Sequence, residues 1–117
     1  MAAPDATVLE RLFRILESRG MADPASSYTA QLLQSGAERV AQKLGEEALE
    51  TALAGAAGRR ESVIGESADL LYHLLVLWVS SGVKPAEVWA ELERREGTSG
   101  IVEKERRIIG GGKGGES

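Results

Sequence analysis

The chain has 117 residues, of which 43% are hydrophobic and 27% are charged, with a net charge of −4 and no cysteine. The length suits one domain, and the acidic balance argues against a nucleic-acid-binding protein that works through a broad basic face. The absence of cysteine excludes disulfides and thiolate metal sites.

The sequence predicts three helices in its first half, and no segment shows the alternation of a strand. The first covers about residues 5–19 and ends at Gly20. The second, YTAQLLQSG, follows a loop and has Ser26 or Ser27 as its N-cap. The third covers about residues 37–57. Its apolar stripe is predicted to be Val40, Ala41, Leu44, Ala48 and Ala52.

The fourth helix is predicted over about residues 61–81, and it is apolar almost all the way round from Leu70 to Val79. Such a helix must be covered on every side, so we expect an all-α helical bundle completed by a homodimer or a higher homo-oligomer. Its most apolar stretch, LLYHLLVLWV, is about half of the roughly 20 residues that span a bilayer, which indicates a cytoplasmic protein without a membrane partner.

A fifth helix begins at Pro85, a favoured first-turn residue, and ends near Arg95. The bundle therefore has four to five helices. We expect residues 1–107 to form one domain and residues 108–117, which are rich in glycine, to form a flexible tail.

Two pairs of acids lie on the third and fourth helices. Glu47 and Glu50 are three residues apart and share a face, and Glu66 and Asp69 make the same step. Each acidic face borders the apolar stripe of its helix, so antiparallel packing through those stripes brings the four carboxylates together.

Carboxylate oxygens of this kind suit Mg²⁺ or Mn²⁺, and such a site favours the hydrolysis of a phosphate anhydride. The alternative is a solvated acidic face without a ligand. The metal hypothesis gains weight because Glu66 and Asp69 lie next to a strongly apolar run, where an acid without a function is costly.

Three stretches resemble the phosphoribosyl-ATP pyrophosphohydrolase family, which belongs to the all-α nucleoside-triphosphate pyrophosphohydrolase superfamily. They are SYTAxLL, KxGEEAxE at residues 43–50 and ExADLLYHLL at residues 66–75. The resemblance implies hydrolysis of phosphoribosyl-ATP to phosphoribosyl-AMP and pyrophosphate in histidine biosynthesis. It also implies Mg²⁺ dependence and an interlocked homodimer.

By position, the resemblance makes four acids metal ligands: Glu47, Glu50, Glu66 and Asp69. It makes Glu46 the residue that positions or activates water. Candidate substrate contacts are Lys43, His73, Arg94, Arg95 and Lys104, although His73 also suits a core position and the basic residues also suit a surface. Two other functions stay open: a house-cleaning nucleoside-triphosphate pyrophosphohydrolase and a non-catalytic helical interaction module.

Overall fold

A computed structural model describes residues 3–97 of the chain. These residues form five α-helices and no strand, which confirms the all-α prediction. The helices are α1 (Thr7–Arg19), α2 (Tyr28–Ser35), α3 (Ala37–Ala56), α4 (Arg60–Ser81) and α5 (Pro85–Arg95). Every predicted helix is present, with boundaries within two residues of those expected. Ser27 caps α2, because its hydroxyl accepts a hydrogen bond from the Ala30 amide at 3.1 Å.

The described residues fall into two compact units that divide after Pro85, with α1 to α4 in the first unit. The single domain expected over residues 1–107 stays a prediction. The expected glycine-rich tail, residues 108–117, lies outside the described residues.

The turn between α3 and α4 folds the two helices into an antiparallel hairpin. Gly58 has a positive φ of 70°, a conformation that glycine adopts without strain. Its amide donates to Gly55 O at 3.1 Å, and the Arg59 amide donates to Ala54 O at 3.1 Å. This pair of bonds is a Schellman motif, which satisfies the last carbonyls of α3 and turns the chain back along it.

The hairpin packs through a stripe of α3 that the sequence predicted only in part. Ala41, Ala48 and Ala52 of the predicted stripe are exposed. The less exposed positions recur at about three or four residues: Val40, Lys43 with Leu44, Glu47, Thr51 and Ala54. The prediction for the three alanines was wrong because it counted only apolar side chains, and it therefore passed over a charged and a hydroxyl residue that face inward.

The hydrophobic core lies at the end of the hairpin formed by the start of α3 and the second half of α4. Helices α1 and α2 cover it. Its buried members are Phe13, Leu16, Leu32, Val40, Leu75 and Val76. The core therefore ends about where the acidic residues of the hairpin begin, which places those acids at its edge.

Apolar side chains also lie on the exposed surface of the hairpin. On α3, Leu49 and Leu53 are 60% and 56% exposed, and they share a face because they are four residues apart. On α4, Ile64 and Leu71 are 54% and 41% exposed and lie seven residues apart on one face. Large exposed apolar side chains at regular spacing are typical of a surface that a partner covers.

Helix α4 is long and apolar enough to cross a membrane, judged only by its length and composition. This is weak evidence, because the core helix of a globular domain passes the same test. His73, Leu75 and Val76 of α4 are buried against other helices of the chain. The absence of a membrane partner stays a prediction.

Candidate metal centre

Three acids from the two hairpin helices meet at one place. Carboxylate oxygens of Glu47, Glu66 and Asp69 lie within 4.8 Å of one another. Glu66 and Asp69 point the same way because they are one turn apart on α4, and Glu47 belongs to the stripe of α3 that faces α4. The hairpin therefore joins two local patterns into one cluster, as the sequence predicted for these three residues.

The cluster has two buried oxygen atoms without a hydrogen-bond partner, Glu47 Oε1 and Glu66 Oε1. A buried polar atom without a partner is rare and costly, and a buried carboxylate oxygen more so. A divalent cation would satisfy both oxygens at once and neutralise the charge around them. Since all the ligand atoms are carboxylate oxygens, the cluster fits a hard cation such as Mg²⁺ or Mn²⁺.

The electrostatics of Glu66 also reflect the crowding of negative charge. Burial of its carboxyl raises the pKa of Glu66, and repulsion from Glu50, Glu47 and Asp69 raises it further. In the protein without a cation, Glu66 therefore binds a proton more readily than a free glutamate.

Glu50 lies at the side of the cluster. Its side chain is exposed, and its negative charge is close enough to raise the pKa of Glu66. It is not one of the three residues whose oxygens converge within 4.8 Å. Glu50 thus adds negative charge next to Glu66, and its role as a direct ligand stays a prediction.

Glu46 is paired with residues of its own helix. Lys43 Nζ lies 3.2 Å from Glu46 Oε1, and the Gln42 amide donates to Glu46 Oε2 at 3.1 Å. The hydrogen bond from Lys43 lowers the pKa of Glu46, and the bond from Gln42 lowers it further. Glu46 is therefore a carboxylate at neutral pH, the form that accepts a proton from water. Its catalytic role and the phosphate contact of Lys43 stay predictions.

His73 lies in a buried aromatic group and is 7% exposed. Its Nδ1 lies 2.8 Å from the carbonyl oxygen of Asp69, so Nδ1 carries the proton, and its Nε2 lies 3.4 Å from the Tyr28 hydroxyl. The Tyr72 hydroxyl lies 2.6 Å from Thr29 Oγ1. These contacts tie α2 to the turn of α4 that carries Asp69. A substrate contact of His73 stays a prediction.

The sequence alone did not identify this connection. Tyr28 and Thr29 belong to the SYTA stretch. This stretch contributed to the family resemblance, but its residues were not assigned a role. The stretch begins with the N-cap Ser27, which fixes where α2 starts and hence which way Tyr28 points. A tyrosine next to a cap is the only local signal, and its partner is 45 residues away.

The basic residues near the end of α5 pair with one acid. Arg94 and Arg95 lie 2.6 Å and 2.8 Å from Glu91 Oε2. These bonds lower the pKa of Glu91 to about 2. Lys104 lies outside the described residues. A substrate contact of Arg94, Arg95 or Lys104 stays a prediction.

Known proteins resemble this chain over most of its length. A family model described as phosphoribosyl-ATP pyrophosphohydrolase matches residues 9–96. A phosphoribosyl-ATP pyrophosphatase of Paramagnetospirillum magneticum is 54% identical over 90% of this chain and 96% of its own length. One of Parvibaculum lavamentivorans is 56% identical with the same coverage. One of Granulibacter bethesdensis is 58% identical over 86% of this chain and 62% of its own length.

The raised pKa of Glu66 predicts how the stability of the cation-free protein depends on pH. Below the ordinary pKa of 4.5, Glu66 is protonated in both the folded and the unfolded chain, and the repulsion is absent. As the pH rises through the folded pKa, the folded state loses its proton later than the unfolded state, so stability falls. We expect the free energy of unfolding in a chelator to increase as the pH is lowered from neutral toward 4.5.

Urea unfolding of wild type and Glu66→Gln measures this effect. The variant should be more stable at neutral pH and should show a flatter pH profile. Glu61→Gln is the control, since this acid is 88% exposed. The lowered pKa of Glu91 changes the free energy of unfolding only at lower pH, so it does not affect this comparison. Equal pH profiles in wild type and Glu66→Gln contradict the prediction.

Proposed function

This chain belongs to the phosphoribosyl-ATP pyrophosphohydrolase family, and we propose that it hydrolyses the α–β phosphoanhydride of phosphoribosyl-ATP. The products are phosphoribosyl-AMP and pyrophosphate, and the reaction is the second step of L-histidine biosynthesis. The structural observation that supports this best is the cluster of Glu47, Glu66 and Asp69 with its two unpartnered buried oxygens.

We propose that Glu47, Glu66 and Asp69 hold Mg²⁺, or Mn²⁺ in its place, with Glu50 as a fourth acid at the side. A divalent cation held by these residues would neutralise phosphate charge and make a water molecule beside it more acidic. The carboxylates fix the position of the cation because they project from two helices that are joined by a short turn. The buried position of two of their oxygens limits competition from bulk water.

Glu46 is the candidate for positioning or activating the attacking water. Glu46 is ionised at neutral pH, so its carboxylate oxygens can accept a hydrogen bond or a proton from a water molecule. The oxygen of that water bonds to phosphorus, and the bond from that phosphorus to the bridging oxygen breaks. Lys43 is the candidate for meeting the negative charge that moves to the leaving group, and its position 3.2 Å from Glu46 supports this role.

The two rival functions predict different results. A house-cleaning pyrophosphohydrolase shares the acids but acts on other nucleoside triphosphates, and an interaction module releases no pyrophosphate. The three relatives described above, each more than half identical, are named for phosphoribosyl-ATP, which favours hydrolysis of phosphoribosyl-ATP over both rivals. A soluble protein of the cytoplasm fits this function, because the substrate is a small charged nucleotide.

We also propose a homodimer or a higher homo-oligomer as the active form. The support is the exposed apolar surface of the hairpin, with Leu49 and Leu53 on α3 and Ile64 and Leu71 on α4. Covering these side chains removes apolar area from water at roughly 25 cal/mol per Å². A second copy of the chain offers the same apolar surface, as a two-fold dimer requires.

The first test of the function is a pyrophosphate-release assay on phosphoribosyl-ATP with Mg²⁺. We expect turnover by wild type and a loss of about a thousandfold or more in Asp69→Asn, because the cation contributes several kcal/mol of charge stabilisation. Glu61→Gln, an acid-to-amide control at a residue that is 88% exposed in the first turn of α4, should retain activity. Near-normal turnover by Asp69→Asn contradicts the metal-site proposal.

A second test uses melting curves with and without Mg²⁺ and pyrophosphate. A cation that binds only the folded state stabilises it by about 2.7 kcal/mol at a hundred times its dissociation constant. In a domain of this size that gain raises the melting temperature by roughly ten degrees or more. Wild type and Glu61→Gln should show the shift, and Glu47→Gln should not. An equal shift in Glu47→Gln means that the ion binds elsewhere.

A third test addresses assembly by light scattering at micromolar concentration. Leu53→Asp should give monomer or aggregate, because it places an unpaired charge in a surface that the partner buries, at a cost of roughly 3–5 kcal/mol. Met21→Asp is the control, since Met21 is 95% exposed on a loop. A wild-type protein that is monomeric, or a Leu53→Asp variant that remains a dimer, overturns this interface.

A further inference from the structure

We propose that a cleft between α2 and the start of α3 binds the phosphate of the second ribose of phosphoribosyl-ATP, with Arg39 as the residue that recognises it. The cleft has a volume of about 160 Å³ and is lined by Tyr28, Gln31, Leu32, Ser35 and Arg39. The inference rests on the proposed function and assigns the selection of substrate to a part of the molecule separate from the acids.

The size of the cleft limits what it holds. Pockets that enclose a whole small ligand measure about 300–1,000 Å³, so this one takes a fragment of the substrate. Phosphoribosyl-ATP carries a triphosphate on one ribose and a single phosphate on the other, with the adenine base between them. A substrate of this shape needs a second anion site at a distance from the metal centre.

Arg39 supplies the charge for that site. Its guanidinium donates to Gln42 Oε1 at 3.1 Å. Within residues 3–97, no carboxylate lies within ion-pair distance of it. The guanidinium therefore keeps donors free for an anion, and its fork geometry matches a phosphate. No local ion pair accounts for its presence at the cleft.

The other polar side chains at the cleft are held by hydrogen bonds within the protein. The Gln31 amide donates to Pro24 O at 2.9 Å, and the Ser35 hydroxyl donates to Leu32 O at 2.7 Å. Tyr28 contacts His73 through its hydroxyl. These bonds fix the walls, so Arg39 remains the residue that is available to bind the anion.

The position of Arg39 on α3 connects the cleft to the metal centre. Arg39, Lys43 and Glu47 follow one another at steps of four residues, so they lie along one side of the helix. The eight residues from Arg39 to Glu47 correspond to about 12 Å along the axis. Lys43 lies between them. A substrate that lies along this side of α3 would meet Arg39 at the phosphate of its second ribose. It would then meet Lys43, and finally the acids at its triphosphate.

The aromatic contacts hold this spacing constant. Tyr28 forms one wall of the cleft, and its hydroxyl lies 3.4 Å from His73 Nε2. His73 in turn donates to the carbonyl oxygen of Asp69 at 2.8 Å. The cleft wall and the metal-binding turn of α4 are thus joined through two side chains, which limits their relative movement.

The test compares wild type, Arg39→Gln, Arg39→Lys and the control Arg60→Gln, with kcat and KM measured on phosphoribosyl-ATP. Losing a charge-assisted hydrogen bond to phosphate raises KM by roughly 10- to 100-fold. We expect that rise in Arg39→Gln with kcat little changed, and partial recovery in Arg39→Lys. Arg60 is an exposed arginine at the opposite end of the hairpin, and its removal should change neither constant.

ATP lacks the second ribose phosphate and provides the decisive comparison. Its inhibition constant against phosphoribosyl-ATP should be the same in wild type and Arg39→Gln. The proposal is overturned if the KM of Arg39→Gln is within twofold of the wild-type KM. It is also overturned if Arg39→Gln loses as much affinity for ATP as it loses for phosphoribosyl-ATP. If the wild-type protein does not hydrolyse phosphoribosyl-ATP, the proposed function is wrong. That result differs from an unchanged KM in Arg39→Gln, so failure of the function and failure of the Arg39 proposal are distinguished. Melting curves confirm that each variant is folded.

Discussion

The antiparallel packing of α3 on α4 is the interaction on which the candidate metal centre depends. The inward stripe of α3 is apolar at its start, with Val40 and Leu44, and polar in its middle, with Glu47 and Thr51. Thr51 Oγ1 lies 2.7 Å from Glu47 O and 3.1 Å from Glu66 O, which joins the two backbones beside the acids. The small side chains Thr51 and Ala54 allow the helices to approach closely. Because of this approach, the carboxylates of two helices reach one point.

The same packing gives the hairpin an electrostatic cost. The packing brings Glu47, Glu66 and Asp69 together, with Glu50 beside them, and their negative charges repel one another when no cation is bound. The raised pKa of Glu66 is a consequence of its burial and of this repulsion. The hydrophobic core at the adjacent end offsets the cost by holding α3 and α4 in register. The acids are therefore arranged by apolar contacts that they do not make themselves. This arrangement leaves their oxygens free for a ligand.

Local patterns in the sequence predicted the helices and the acidic pairs, because caps, glycines and three-residue steps act within one helix. They predicted the inward side of α3 only in part, since the alanines and the residues that face inward both recur at helical spacing. They also missed the contact of Tyr28 with His73, which joins residues 45 positions apart. The resemblance to a family supplied the reaction. It did not assign a role to Arg39, whose position matters only once α2 lies beside α3.

The acids and the cleft answer different chemical requirements. A cluster of carboxylates around a cation recognises a phosphoanhydride, a group that every nucleoside triphosphate carries. It cannot by itself distinguish phosphoribosyl-ATP from ATP, which is abundant in the same cell. Discrimination needs a contact to a group that ATP lacks, and a site built to bind such a group rejects the analogue without it. Arg39 lies about two turns of α3 from Glu47, so this helix carries one acid of the candidate metal centre and the arginine that we propose for substrate selection.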